Sequence, residues 1–236
     1  MTKLFTIAEM MGRDLARRRV ALALLAFVPL LFYMARHDGN PEKAIRFAGL
    51  GLAWAVSTAG LFLSNTTKAV ERRLRQLGYQ PAHLYLGTLT ALLTLGAALA
   101  AVYWVLIFVD QNNLQRPGAV AIELGLTVVV AAPLGLLISA AAPHDLEGTL
   151  VLISITGLQF LVDPGQKLAK ALPFWSTQQV GAYGLGDGDP EYLREGLLHG
   201  ALYCAGLVLV TAVLASVRLR RRKHMRVRAA TPYQRA

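Results

Sequence analysis

Polar residues in this chain are bunched, and six apolar stretches run between the bunches, at residues 20–34, 47–64, 84–109, 119–141, 148–162 and 197–217. The pattern predicts an all-α membrane protein of six spans. The first and fifth stretches fall short of the roughly 20 residues that cross a hydrocarbon core, so flanking residues must help or the bilayer must thin. The third is long enough to tilt or to start within the preceding helix. Pro29 and Pro133 mark kink positions, tolerable where neighbouring helices satisfy the backbone. Residues 2–16 set Leu4, Phe5, Ile7, Ala8, Met11 and Leu15 against Lys3, Glu9, Arg13 and Asp14, the spacing of an amphipathic helix lying in the membrane interface.

Two connections are more structured than connectors need to be. Segment 65–81 has helical spacing, with Val70, Leu74 and Leu77 on one face and Lys68, Glu71, Arg72 and Arg75 on the other, closed by Gly78-Tyr79-Gln80-Pro81 as a terminator. Its amphipathic form points to a docking partner. Segment 163–195 carries Leu168, Ala171, Leu172, Phe174 and Trp175 around Pro173, too short to span and too apolar for a solvated loop. It reads as a re-entrant or interfacial element, followed by a flexible turn over 184–190. The chain thus divides into an interfacial helix (1–19), a six-span domain (20–217) and a basic tail (218–236).

Composition sharpens this picture. The chain has 236 residues, 55% of them hydrophobic and only 16% charged, which excludes an ordinary soluble domain. Of its 24 lysines and arginines, 17 lie in the N-terminal arm, segment 65–81 and the tail, which six spans place on one side. The positive-inside rule makes that side, and both termini, cytoplasmic, in the cytoplasmic (inner) membrane. The net charge of +10 is then a topology signal with attraction to anionic lipids, and the Arg-rich tail is a stop-transfer anchor rather than a nucleic-acid site. The single Cys204 sits in an apolar stretch, and no disulfide framework or cysteine metal site follows.

Chemical motifs are absent. No nucleotide-binding glycine loop, nucleophile elbow or zinc-binding histidine pair occurs, and Asp187 with Asp189 makes only half a calcium loop. No catalytic, cofactor or metal residue is expected. Glu123 is the one acidic residue inside a stretch. It is a functional candidate by default, set against snorkelling to the nearby interface or pairing with Arg116 or a neighbouring helix. Asn65, Thr66, Thr67 and Gln159 are polar groups that line a path or hydrogen-bond between helices. Trp54, Phe62 and Phe160 complete the candidate substrate path of Trp54, Phe62, Asn65, Glu123, Gln159 and Phe160.

These features together resemble the permease subunit of a type-2 ABC exporter. Glu71-Arg-Arg, Leu77, Pro81 and Leu84-Tyr-Leu-Gly87 are similar to the family's charged start, central leucine, proline and following Leu-x-x-Gly. Leu172-Pro173-Phe174-Trp175 is similar to its outer Leu-Pro segment, while Leu74-Arg75 stands where the family often has Gly-Thr. The resemblance implies an N-terminal interfacial helix, a cytoplasmic coupling helix between spans 2 and 3, and a re-entrant outer hairpin between spans 5 and 6. Glu71, Arg72, Arg73, Leu74, Leu77, Gly78 and Tyr79 then dock on cytoplasmic ABC ATPase subunits, which hold the ATP and Mg. The permease pairs with a second copy or a paralogue, and rocking bundles move a small hydrophobic or amphipathic substrate. An Ala-, Leu- and Arg-rich composition points to a high-GC bacterial source, where such permeases often serve drug efflux and antibiotic resistance. Two other classes compete. One is a lipid-modifying enzyme at the outer leaflet acting through Glu123, His199 and segment 163–195; the other is a membrane scaffold without transport.

Overall fold

A computed structural model describes residues 2–37, 41–111, 114–142, 144–163, 165–185 and 189–221, with the side chains of residues 2–3, 41, 67–70, 72, 75, 160 and 215–221 outside the description. It is all-helical, with no strand among the described residues. The helices are α1 (Thr2–Arg17), α2 (Arg19–Met34), α3 (Pro41–Gln76), α4 (Pro81–Asp110), α5 (Pro117–Ala141), α6 (Asp145–Leu161), α7 (Trp175–Gly184) and α8 (Pro190–Arg221), with one 3-10 turn at Ala169–Ala171.

Four helices are long and apolar enough to cross a membrane: α4, α5, and the stretches Glu42–Thr66 of α3 and Pro190–Leu214 of α8. The other two expected spans, α2 and α6, are helices of 16 and 17 residues. Large apolar side chains face outward along the bundle, among them Val102, Val105 and Phe108 on α4 and Leu202 and Leu209 on α8. In water that surface would be a liability; against lipid it is the normal solvent face. Pro29 and Pro133 both sit inside their helices, as expected.

The core is a seam between α3 and α5, which run parallel. Its tightest point is Gly135, where an added Cβ would lie 2.2 Å from the Ser57 carbonyl oxygen. Ser57 uses that approach, its Oγ donating to the Ala131 carbonyl at 2.9 Å. Small residues substitute for hydrophobic drive when helices meet in lipid, because close backbones gain dispersion and hydrogen bonds. Around the seam, α2 lies antiparallel on α3, α4 antiparallel on α5, and α8 on the other side of α5.

α1 is amphipathic as expected, and it is docked on the bundle. Ile7, Met11 and Leu15 are buried, and Ile7 packs on the start of α4, where Gly87 leaves room for it; a Cβ there would come within 2.5 Å of it. That gives Gly87 a packing role.

The connection at 65–81 differs from expectation. It is not a separate helix: α3 continues without a break from its apolar stretch to Gln76, about 54 Å in all. A polar residue does not end a helix if its backbone bonds continue, and no Gly or Pro occurs between Gly60 and Gly78. α4 starts cleanly at Pro81 and is not an extension of α3.

After α6 the chain turns back beside α8, bringing Ala171 to the level of Tyr203. α7 then rises beside α5 until Gly184 meets Ala119 and Val120. The apolar stretch around Pro173 is the descending limb, and the buried helix begins only at Trp175. Most of the expected turn at 184–190, including Asp187, lies outside the described residues.

Candidate functional sites

The end of α3 is built as a rigid corner. Gly78 has φ 81°, and the Tyr79 N–H bonds the Leu74 carbonyl at 3.1 Å, closing a Schellman cap. Leu74 and Tyr79 pack inward together against the core. Gln80 then caps α4, its backbone N–H donating to His83 Nδ1 at 3.2 Å ahead of Pro81. Leu74 and Leu77 therefore do not share a docking face, as the spacing had predicted. Leu77 points away from the core at 71% exposure, next to the exposed Arg73 and Gly78 and the half-buried Glu71. Arg72 belongs to the same expectation, and its side chain lies outside the described residues.

About three turns above the corner, Asn65 ties three helices. Its Oδ1 accepts from Ser139 Oγ on α5 at 2.7 Å, and its Nδ2 donates to Asp145 at the start of α6. Asn65 is thus a bracket between helix ends rather than a wall of a path.

Trp54 and Phe62 do share a groove. It has a volume of about 400 Å³ and lies between α2 and α3, with Leu24, Leu25 and Val28 on one wall and Trp54, Thr58 and Phe62 on the other. Asp14, Arg18 and Thr66 stand at its mouth. A second, polar pocket of about 490 Å³ along α1 opens beside it, sharing Asp14 and Thr66 and adding Glu9, Arg13 and Arg17. Thr58 was not singled out from the sequence, although it stands one turn from Trp54 on the same face; its Oγ1 is buried without a hydrogen-bond partner.

Glu123 lies near the other end of the bundle and lines neither of these grooves. It is 2% exposed, so it does not snorkel. Its carboxylate fills the space left by two glycines: an added Cβ at Gly181 would sit 2.9 Å from the carboxyl atoms, and one at Gly49 3.4 Å from Oε1. Oε2 has no hydrogen-bond partner. The cationic influence on it comes from Arg46 on α3. Arg116 instead donates to the Tyr183 carbonyl at 2.9 Å and lies over the Tyr183 ring. The proximity of Glu123 to the end of α5 suggested exposure; α7 folding over it is a tertiary effect that one helix's pattern cannot display.

Gln159 on α6 is also buried, with both amide atoms unpartnered. Phe160 is beside it in sequence, and its side chain lies outside the described residues. The expected path is therefore not one cavity: Trp54 and Phe62 meet in the groove, while Glu123 sits in a closed joint between α3, α5 and α7.

The segment between α6 and α7 is pinned to α8 by a clamp that the sequence pattern did not reveal. His199 Nε2 lies 2.8 Å from the Lys170 carbonyl, its ring stands edge-on to Trp175, and Tyr203 donates to the Ala171 carbonyl at 3.2 Å. Leu172, Pro173, Phe174 and Trp175 are all buried here. His199 is thus turned to this clamp and Glu123 to the glycines of α3 and α7. Among the described residues, no group of three or more metal-binding side chains occurs.

Comparison with known proteins adds no relative: no family model matches the chain, and no curated protein matches it.

Proposed function

We propose that the chain is a six-pass permease subunit of an ATP-driven exporter, placed in the cytoplasmic membrane with α1 and both termini on the cytoplasmic side. α2 and α6 serve as the two short spans, and the segment between α6 and α8 is a re-entrant hairpin. The cargo is hydrophobic or amphipathic, and a separate ABC ATPase supplies the energy. One observation carries this reading: α3 runs unbroken from its span into a capped, basic tip that presents Arg73 and Leu77 outward. A tip free to swivel would absorb a push. A tip continuous with the helix at the centre of the bundle passes the push on, because packed helices move as bodies rather than deform.

Glu71 and Arg73 set the charge register of docking, and Leu77 fills an apolar depression on the motor. A dimer of permeases, with two ATPases below, alternates between inward- and outward-open states as the ATPases close. Co-expression with a candidate ABC ATPase subunit tests it. The wild-type pair is expected to co-purify and to drive ATP-dependent export. The Glu71→Ala/Arg73→Ala double variant should keep its fold and lose at least tenfold in ATPase association. Normal assembly and turnover in that variant would remove the coupling role from the tip.

A further inference from the structure

The groove between α2 and α3 has an architecture that the transport reading does not require. It runs from Arg18 to Val28 along α2 and from Trp54 to Thr66 along α3, about 15–18 Å at 1.5 Å per residue. That is half of a hydrocarbon core of roughly 30 Å, the depth of a single leaflet. Its inner end is closed where Pro29 packs onto Gly51, whose added Cβ would fall 2.7 Å from the Pro29 backbone. Its walls are apolar, with the Thr58 hydroxyl as an unpartnered polar atom.

Its mouth is charged. Together with the adjoining pocket along α1 it gathers five charged residues, of which Glu9 pairs with Arg13 at 2.7 Å and Asp14 with Arg18 at 3.4 Å. Arg17 has no ion-pair partner among the described residues, which leaves one positive charge over. A leaflet-deep apolar slot with one spare cation at its rim matches one kind of molecule.

We propose that this groove holds an acyl chain of an anionic glycerophospholipid from the leaflet on the α1 side, with its phosphate on Arg17 and Arg18. The occupant bridges α1, α2 and α3. It fills the groove along an exposed face of α2, and it fastens α1 to the bundle on the side away from α4. The proposal shares with the transport reading only the placement of α1 at the membrane surface.

Tryptophan quenching tests it without any ATPase or ATP, so its failure and that of the transport reading are separable. Trp54 is made the only tryptophan by Trp104→Phe and Trp175→Phe, and the protein is reconstituted in phosphatidylcholine vesicles. Dibrominated phosphatidylglycerol is expected to quench Trp54 at a several-fold lower mole fraction than dibrominated phosphatidylcholine. Arg17→Glu should abolish that preference, and Ala21→Phe, which fills the exposed side of the groove, should weaken quenching by both lipids.

Equal quenching by the two lipids would reveal ordinary boundary lipid and overturn the proposal. So would no quenching by either, the result expected if a second copy of the chain covers the groove. Displacement by soluble glycerol phosphate would mark a headgroup site without an acyl slot, and would also overturn it. Should the single-tryptophan variant fail to fold, native mass spectrometry of the unaltered chain gives the same answer. One anionic lipid retained per chain, lost in Arg17→Glu, supports the proposal; retention that ignores lipid charge refutes it.

Discussion

The α3–α5 seam makes a sharp prediction at Gly135. An added methyl would sit 2.2 Å from the Ser57 carbonyl oxygen, and carbon contacts are comfortable only from about 3.5 Å. The obstacle is backbone inside a helix, so no side-chain rotation relieves it; the two helices must part by about 1 Å. A gap of that size forfeits roughly a quarter to a half of each contact along the seam. Overpacking costs about 1–3 kcal/mol, with this site at the upper end, and the Ser57 bond to Ala131 adds about 0.6 kcal/mol when stretched. Gly135→Ala should therefore destabilise by roughly 2–4 kcal/mol, lowering the unfolding temperature of the detergent-solubilised protein by roughly 5–15 °C. Gly125 on the same helix has nothing within 4 Å of its added Cβ. There the same substitution should be neutral or stabilising by up to about 1 kcal/mol through helix propensity. If the two variants melt together, the seam is not as tight as drawn and the reasoning fails.

Other expectations are checked as readily. Gly78→Ala places a side chain at φ 81° and should cost about 1–2 kcal/mol, loosening the corner; faster protease cleavage around residues 76–80 is the readout. Ser139→Ala removes the 2.7 Å bond to Asn65 and should cost about 0.6–1.7 kcal/mol; Asn65→Ala, which also loses Asp145, should cost more, and a loss in Asn65→Ala/Ser139→Ala equal to that of Asn65→Ala alone would confirm the shared contact. Gly181→Ala should destabilise by about 1–3 kcal/mol, because its Cβ meets the Glu123 carboxyl at 2.9 Å. In a Glu123→Ala background that penalty should disappear, and strict additivity would show that the two do not touch.

How much of this was legible beforehand depends on whether the signal was local. The Gly78 corner was, because a positive φ is a demand that a single glycine answers and Pro81 marks the next helix start. The amphipathic face of α1 was legible too, since Ile7, Met11 and Leu15 repeat at helical spacing and all three are buried. The continuity of α3 was also written in the chain, in the absence of Gly or Pro between Gly60 and Gly78, but Asn65-Thr66-Thr67 drew attention as a polar break. Glu123 and Leu77 were misplaced for the opposite reason. Their surroundings come from α7 and from the direction of the helix cap, which are set by segments distant in sequence or by a single φ angle.

Four of these places share one body. α3 carries Gly49 beside Glu123, Trp54 and Thr58 in the groove, Asn65 in the bracket with α5 and α6, and Arg73 with Leu77 at the tip. Gly49 to Arg73 is 24 residues along one unbroken helix, about 36 Å along its axis, and Leu77 follows just past its end. A tilt that moves the tip by a few ångströms must therefore shift the groove and press or release the Gly49 wall around Glu123. The small residues at the Gly60–Gly135 crossing let it pivot there, because they present no side chains that have to re-interdigitate as the angle changes. A ligand in the groove and a partner at the tip act on the same coordinate, so each must alter the affinity for the other by the same factor. On this argument, an anionic lipid seated along α2 and α3 is more than a fastening for α1: it biases the angle at which the tip meets whatever docks there.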